Sequence, residues 1–587
     1  MGKTIVQKIF EKHSRSKANV GDIIDVDIDV RVARDFGGAN VVKNLQENNL
    51  SIDDPQKTFF TFDCNPGGCD QKYAANQHLC RLFARRNEIK VFDIEKGVGT
   101  HIVIDEGIAE LGGTIVSTDS HANILGAIGA FGQGMGDSDV AHAFAYGKVW
   151  FKVPPTVKIV LKGMPSKLAS PKDVVLKMLQ HLGANGLLGY AAEMYGGYVE
   201  TLSLDGKITI ASMATEMGGI IILFPSKNIT ADEHADYERI TEIDIGRLGP
   251  QVSRPGHPED VVDINEVKGT TIDSGFIGSC TNGRMNDMRS AAKILKNRRI
   301  APDRVLKIVP TTDKIWRQSL DEGLIQIFKD AGALVGSAGC AGCADGQIGQ
   351  TGTGEISLSS GNRNFAGKQG KGDIYLASPA TVAASLVVGL ITTEEDIPEK
   401  PEQFKMPAAK SAEAKVIREK LSALPFEVEG RAWVIKKDNI DTDMIFHNRY
   451  LFITDIEEMG QYTFDNLKGY ENFAKEARRG DIVFVGKNFG CGSSRQQAVD
   501  CFKSLGIGAI VAESFGAIYE RNAINSAVPI LVADDLVEKV RDGDVISVNF
   551  ITGEIRNKTQ GECYLAKPFS QVQIDIYQRG GLLSPTS

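Results

Sequence analysis

Long apolar runs are missing from this chain of 587 residues. The longest, IIILF at 220–224, falls far short of the roughly 20 residues that span a bilayer, so no membrane partner is expected. Proline is scarce, at 20 residues against 62 glycines. That balance argues against a proline-rich linker protein and for many tight turns and close backbone approaches. Positive charge is also in deficit: 66 Lys and Arg face 75 Asp and Glu, for a formal charge of −9. Such a chain has no overall attraction for nucleic acid or an anionic surface, and an anionic substrate would have to be captured locally. Cysteine is thin and odd in number, at nine, which excludes a secreted disulfide framework and points to the cytoplasm or an organelle matrix. The opening MGKTIVQKIFEKHS carries no secretory apolar region, and Val6 fails the myristoylation pattern.

What is present is strand–helix alternation. TVKIVLKG (156–163) reads as a strand and PKDVVLKMLQHLG (171–183) as a helix. RVLKIVP (304–310) then precedes a helical KIWRQSLDEGLIQIFKDAG (314–332). The pattern predicts an α/β fold. Composition changes at TTEEDIPEKPEQFKMPAAKSAEAKVIREK, which has three prolines, many charges and almost no large apolar residues. The expected organisation is a large domain over 1–391, a linker over 392–424 with a helix in its second half, and a second α/β domain over 425–587.

One Cys-x-x-Cys pair, Cys340 and Cys343, stands in SAGCAGCADGQIG, and no second such pair exists. The other conspicuous cysteine of the region is Cys280, in GFIGSCTNGR. Three thiolates are one short of the usual set for an iron–sulfur cluster or a structural zinc. The deficit means either buried free cysteines or a metal with an open position, which Lewis-acid catalysis needs. In the second domain FGCGSSRQQA (489–498) places glycines before Ser493, Ser494 and Arg495, with a helix expected from Ser494 to Leu505. Amides at such a turn favour an anion and lower the pKa of a serine; the plain alternative is a phosphate-binding turn or a helix cap.

GSCTNGR, GCAGC, SSGNRNFAGKQG, STDSHANILGAIGAFGQGMGDSD and FGCGSSRQQA occur together and in order. This set resembles the aconitase / 3-isopropylmalate dehydratase family over nearly the whole chain, with large and small subunits of the isopropylmalate/homoaconitate branch fused into one polypeptide. The resemblance implies an α/β large part of three subdomains around a 4Fe–4S cluster with one open iron, and a C-terminal α/β domain that swivels. It implies Cys280, Cys340 and Cys343 as cluster ligands and Ser494 as the proton-abstracting base. Ser493, Arg495, Arg363 and Ser120 follow as substrate-binding residues, with Asn362 beside the cluster. Asp63, His101, Asp119, His121 and Glu216 follow as groups that handle protons or lie near the open iron.

Five positions depart from the family pattern. Asp63 is followed by Cys64 where a histidine is usual, and a thiol is not an equivalent proton carrier. Ser212 replaces an asparagine. Lys368 replaces a substrate-binding arginine, keeping the charge without the fork. Gln496 and Gln497 replace the Glu-His after GSSR. Cys64, Cys69 and Cys80 raise the further prospect of an extra thiol site. The expected activity is dehydration and rehydration of a 2-hydroxy di- or tricarboxylic acid. The rivals are an aconitate or homoaconitate hydratase, a non-enzymatic iron-sensing RNA-binding relative, and an enzyme inactive toward the ordinary family substrates. The substrate clue is local: Leu451, Phe452 and Ile453 follow DNIDTDMIFHNRY, where the resemblance puts the substituent of the substrate. An apolar lining there favours an alkyl-substituted malate over a charged substituent.

Overall fold

The computed structural model describes residues 2–67, 71–397, 424–451 and 453–584. Phe452, Cys69 and most of the expected linker, including its expected helix, lie outside the described residues. The chain divides into two compact units. The first comprises 1–36, 55–133 and 150–410, and the second 37–54, 134–149 and 411–587.

The first unit is α/β, and among the described residues it has three sheets of four or more strands. A five-stranded sheet runs in the order Lys90–Phe92, Thr58–Thr61, Val30–Arg34, Thr114–Ser117, Phe131–Gly134, with the first four strands parallel. A four-stranded parallel sheet orders Ile221–Leu223, Ala191–Tyr195, Thr156–Lys162, Arg239–Asp244. The third has seven strands, five of them parallel: Asp373–Leu376, Ile356–Ser359, Ser274–Ile277, Val305–Ile308 and Leu334–Val335. Burial differs among these strands: Ser274–Ile277 is buried throughout, Val305–Ile308 alternates, and the edge strand Arg239–Asp244 is largely exposed.

Local signals explain the elements that position the site. The helix Pro171–Leu182 starts where Ser170 accepts from the Lys172 amide and Asp173 reaches back to the Ser170 amide, with proline in the first turn. The helix expected over 314–332 is two, Asp313–Asp321 and Leu324–Ala331, because Gly323 turns left-handed at φ 75° between them.

The second unit holds a seven-stranded sheet in the order Ile530–Val532, Ala509–Ala512, Ile482–Val485, Glu427–Ile435, Val545–Asn549, Glu554–Asn557, Glu562–Leu565. Glu427–Ile435 is long enough to serve two partners. Its first half pairs antiparallel with Val545–Asn549, and its second half parallel with Ile482–Val485. The helices Gly38–Glu47 and Asp137–Tyr146, distant in sequence, belong to this unit. They are tied by Asn40 Nδ2 donating to Asp137 (2.8 Å), while Asp139 pairs with Arg521 at 2.9 Å. No helix among the described residues is long and apolar enough to cross a membrane.

Candidate active site

The chemistry-bearing residues of the first unit stand at the carboxyl ends of parallel strands, where open α/β sheets carry their ligand sites. Cys280 follows Ser274–Ile277, Cys340 follows Leu334–Val335, and Asn362 and Arg363 follow Ile356–Ser359. In the five-stranded sheet Arg34 ends its strand, Asp63 and Cys64 follow Thr58–Thr61, and Asp119, Ser120 and His121 follow Thr114–Ser117. The two sets meet: the Cys340 amide donates to the Asp63 carbonyl at 2.9 Å. The cysteine turns are strained. Ser279, before Cys280, has φ 72° and Ala341, after Cys340, has φ 50°, both uncommon for residues with a side chain.

Cys64, Cys280 and Cys340 are buried in one small apolar cluster with Val98, and Cys343 packs against it. Hydrogen bonds from Cys280 and Cys64, with help from Arg34, hold the Cys340 thiol well below its ordinary pKa. Burial raises Cys343, opposed first by Lys368 and then by Arg363. One oxygen of Asp63 and the sulfurs of Cys64 and Cys340 lie within 4.8 Å of one another, as do donor atoms of Asp119, His121 and Cys280.

Around the thiols runs a buried charge network. Arg34 donates from Nε to Asp63 (2.7 Å), pairs through Nη1 with Asp119 (3.0 Å), and donates from Nη2 to the Cys340 sulfur. Asp63 also accepts from the Gly99 amide at 2.8 Å. Glu216 accepts from Arg363 Nε at 2.7 Å, and its Oε1 lies 3.1 Å from His121 Nε2. Burial pushes the Glu216 carboxyl up, but Arg363 and then His121 bring it below its usual value. Its second oxygen, Oε2, is buried without a hydrogen-bond partner among the described residues. His121 Nδ1 lies 3.3 Å from Ser120 Oγ. Asn362 accepts from Ser279 Oγ (3.2 Å) and donates to the Ser212 carbonyl (3.3 Å).

His101 is engaged at both nitrogens. Arg284 Nη1 lies 3.3 Å from Nδ1 and the Cys280 carbonyl 3.0 Å from Nε2. A guanidinium can only donate, so Nε2 carries the proton and holds the Cys280 backbone. Burial first, and Arg284 second, push its pKa down to about 4, so the ring is neutral at ordinary pH.

Four residues that sequence reasoning passed over shape this site. Arg34 is the cation between two carboxylates and a thiol. Asp35 accepts from three consecutive amides, of Asp63, Cys64 and Asn65. Arg284 bridges Asp105 and Asp205 at 2.8 and 2.7 Å. Lys172, fully buried, donates to the carbonyls of Ser360 (3.2 Å) and Gly361 (2.7 Å), just before Asn362. The available signal was a cation inside an apolar segment, VRVAR or PKDVVLKML, which buries only if paired.

In the second unit Gly490 and Gly492 take φ 73° and 94°. A Cβ would stand 2.1 Å from the Tyr519 ring at the first and 2.0 Å from Asp441 Oδ2 at the second. The helix begins at Gln497, not at Ser494, so Ser493, Ser494 and Arg495 lie in the loop before it. Ser494 is buried, and its Oγ has no hydrogen-bond partner among the described residues. Arg495 is buried in an ion pair with Asp443 and lies 3.5 Å from Ser493 Oγ.

Four clustered thiols, with the carboxylate of Asp63 near Cys64 and Cys340 and that of Asp119 near Cys280, fit a thiophilic metal group.

The sequence model of the aconitase family (aconitate hydratase) matches residues 7–232 and 226–389, and that of the aconitase C-terminal domain matches 429–534. The 3-isopropylmalate dehydratase large subunit 1 of Archaeoglobus fulgidus is 37% identical over 421 residues, 68% of this chain and 100% of that protein. The homoaconitase large subunit of Thermus thermophilus is 34% identical over 416 residues, covering 68% and 99%. Among solved structures, 3-isopropylmalate dehydratase (leuD) of Methanocaldococcus jannaschii aligns at 34% identity with 27% of this chain and 92% of its own, at a TM-score of 0.26. The family match over most of the chain, and relatives above 30% identity that it spans almost end to end, lead to one conclusion: the chain belongs to the aconitase family.

Proposed function

We propose that this protein is an iron–sulfur-dependent hydro-lyase that dehydrates and rehydrates a 2-hydroxy di- or tricarboxylic acid, an alkyl-substituted malate of the 3-isopropylmalate kind first. The carrying observation is the constellation of buried Cys280 and Cys340 and half-buried Cys343 with Glu216, Arg363, Asp119 and His121. Cys280, Cys340 and Cys343 would hold the cluster. When bound, it supplies an open iron that polarises the substrate hydroxyl and a neighbouring carboxylate.

The chain's own residues do the rest. Arg363, Arg495 and Lys368 bind and orient carboxylates. The His121–Glu216 and Asp119–Arg34 contacts hold protons near the site of the leaving hydroxyl. Asp63 lies in the same network, its carboxyl pushed up by burial against the pull of Arg34. Ser494 of the second unit is the base that removes the carbon-bound proton, and a buried Oγ without another partner suits that role. Residues 425–587 act as a small subunit fused to the large one, consistent with the C-terminal family match at 429–534. A reducing compartment, the cytoplasm or an organelle matrix, keeps the free cysteines available as ligands.

The alkyl preference rests on Leu451, Phe452 and Ile453, of which Ile453 also packs in the core of the second unit. Relatives carrying both the 3-isopropylmalate and the homoaconitase name make homoaconitate the second candidate. The test is anaerobic kcat/KM for 3-isopropylmalate, dimethylmalate, citrate and homocitrate, read as ultraviolet absorbance of the C=C bond. An alkylmalate should lead for the parent, and Phe452→Arg should move the ranking toward the tricarboxylates. A parent preferring a tricarboxylate, or an unmoved ranking in the variant, contradicts the substrate reading.

A further inference from the structure

Cys64 occupies the position where the family pattern has a histidine, and the site has not used it. Its backbone is fixed. Asp35, itself buried, accepts from the Cys64 amide at 2.9 Å through one oxygen and from the Asn65 amide at 2.9 Å through the other. Gln77 Nε2 braces the same carboxylate at 3.1 Å. The Cys64 sulfur lies within 4.8 Å of that of Cys340, in the cluster that also holds Cys280 and borders Cys343. Cys80, the other thiol considered from the sequence, lies outside that set.

Four cysteine sulfurs are the full complement for a four-iron cluster, whereas three leave one iron open. The site therefore contains four clustered cysteines, while the proposed chemistry needs one iron left open. We propose that Cys64 is a displaceable fourth ligand, which closes the open iron when no substrate is bound and yields it when a 2-hydroxy acid arrives. Exchange is favoured because the substrate brings a hydroxyl and a carboxylate on one molecule, two donors already held in position against one sulfur. Until then the Cys64 sulfur holds the position that would otherwise stand open to an oxidant. The inference deepens the proposed function and rests on its placement of the cluster on Cys280, Cys340 and Cys343.

The test uses the anaerobically prepared holoprotein without substrate and ferricyanide as a one-electron oxidant. Removing one electron from a four-iron cluster with an open iron expels a ferrous ion and leaves a paramagnetic three-iron cluster, seen by electron paramagnetic resonance. Removing even a supporting partner of a metal ligand weakens metal binding by about 10- to 100-fold. Cys64→Ala should therefore form the three-iron signal at least about tenfold faster than the parent. Cys64→Ser, which keeps the shape and offers a weaker oxygen donor, should fall between them and guards against a folding defect in the alanine variant. Equal rates in all three proteins overturn the role of Cys64 and leave the cluster reading standing. A parent that binds no iron overturns both.

Discussion

Arg34 balances charge at the centre of the first unit. One guanidinium serves Asp63, Asp119 and the Cys340 sulfur, and all are buried. Removing it leaves two carboxylates in a dry environment without their cation, a loss of about 3–5 kcal/mol for a buried pair. Arg34→Met should lower the denaturant midpoint accordingly, with Arg34→Lys intermediate because an ammonium cannot reach three partners at once. An unchanged midpoint would contradict this reading. Ser494 is a different case, because its Oγ stabilises nothing visible in the fold. Ser494→Ala should leave the iron content and the unfolding midpoint as they are and lower turnover by about a thousandfold or more. Near-normal turnover would remove Ser494 from the mechanism. At this scale the cysteines and the GSSR serines were legible because glycine-rich turns advertise them. Arg34 was not: a charge inside VRVAR shows its purpose only once Asp63 and Asp119, far away in sequence, arrive beside it.

At the scale of an element, the helix Pro171–Leu182 links its cap to the substrate loop. Its first turn carries Lys172, whose Nζ donates to the carbonyls of Ser360 and Gly361 and thereby holds the turn that presents Asn362 and Arg363. Burial pushes its pKa down to about 7, with Glu216 pulling the other way, whereas an unfolded lysine titrates near ~10.4. Between those values the unfolded chain binds more protons than the folded one, so this group makes stability rise with pH from about 7 to about 10. Lys172→Met should flatten that rise in denaturant midpoints measured across the window. It should also weaken KM, through the loosened Arg363 turn, more than it affects iron content. A pH profile identical to that of the parent would contradict this. The strand–helix alternation was readable from periodicity, and Ser170, Pro171 and Asp173 mark the start of this helix in the sequence. Two boundaries were not readable. Apolar spacing runs through Gly323 without registering its left-handed turn, and it runs back from Leu505 past the true start at Gln497.

For the whole molecule, the α/β class and the change of composition near residue 392 were both visible in the sequence. The recruitment of 37–54 and 134–149 into the second unit was not. It depends on contacts such as Arg521 with Asp139 across 382 positions, which no local pattern records. The account of the whole rests on one claim: Cys280, Cys340 and Cys343 hold an iron–sulfur cluster on which the hydro-lyase chemistry depends. The most direct measurement is iron, acid-labile sulfide and zinc per chain in anaerobically purified protein, for the parent and for Cys280→Ser, Cys340→Ser and Cys343→Ser. The account predicts about four iron and four sulfide in the parent and near-background iron in each variant. One zinc per chain with no iron in the parent would contradict it.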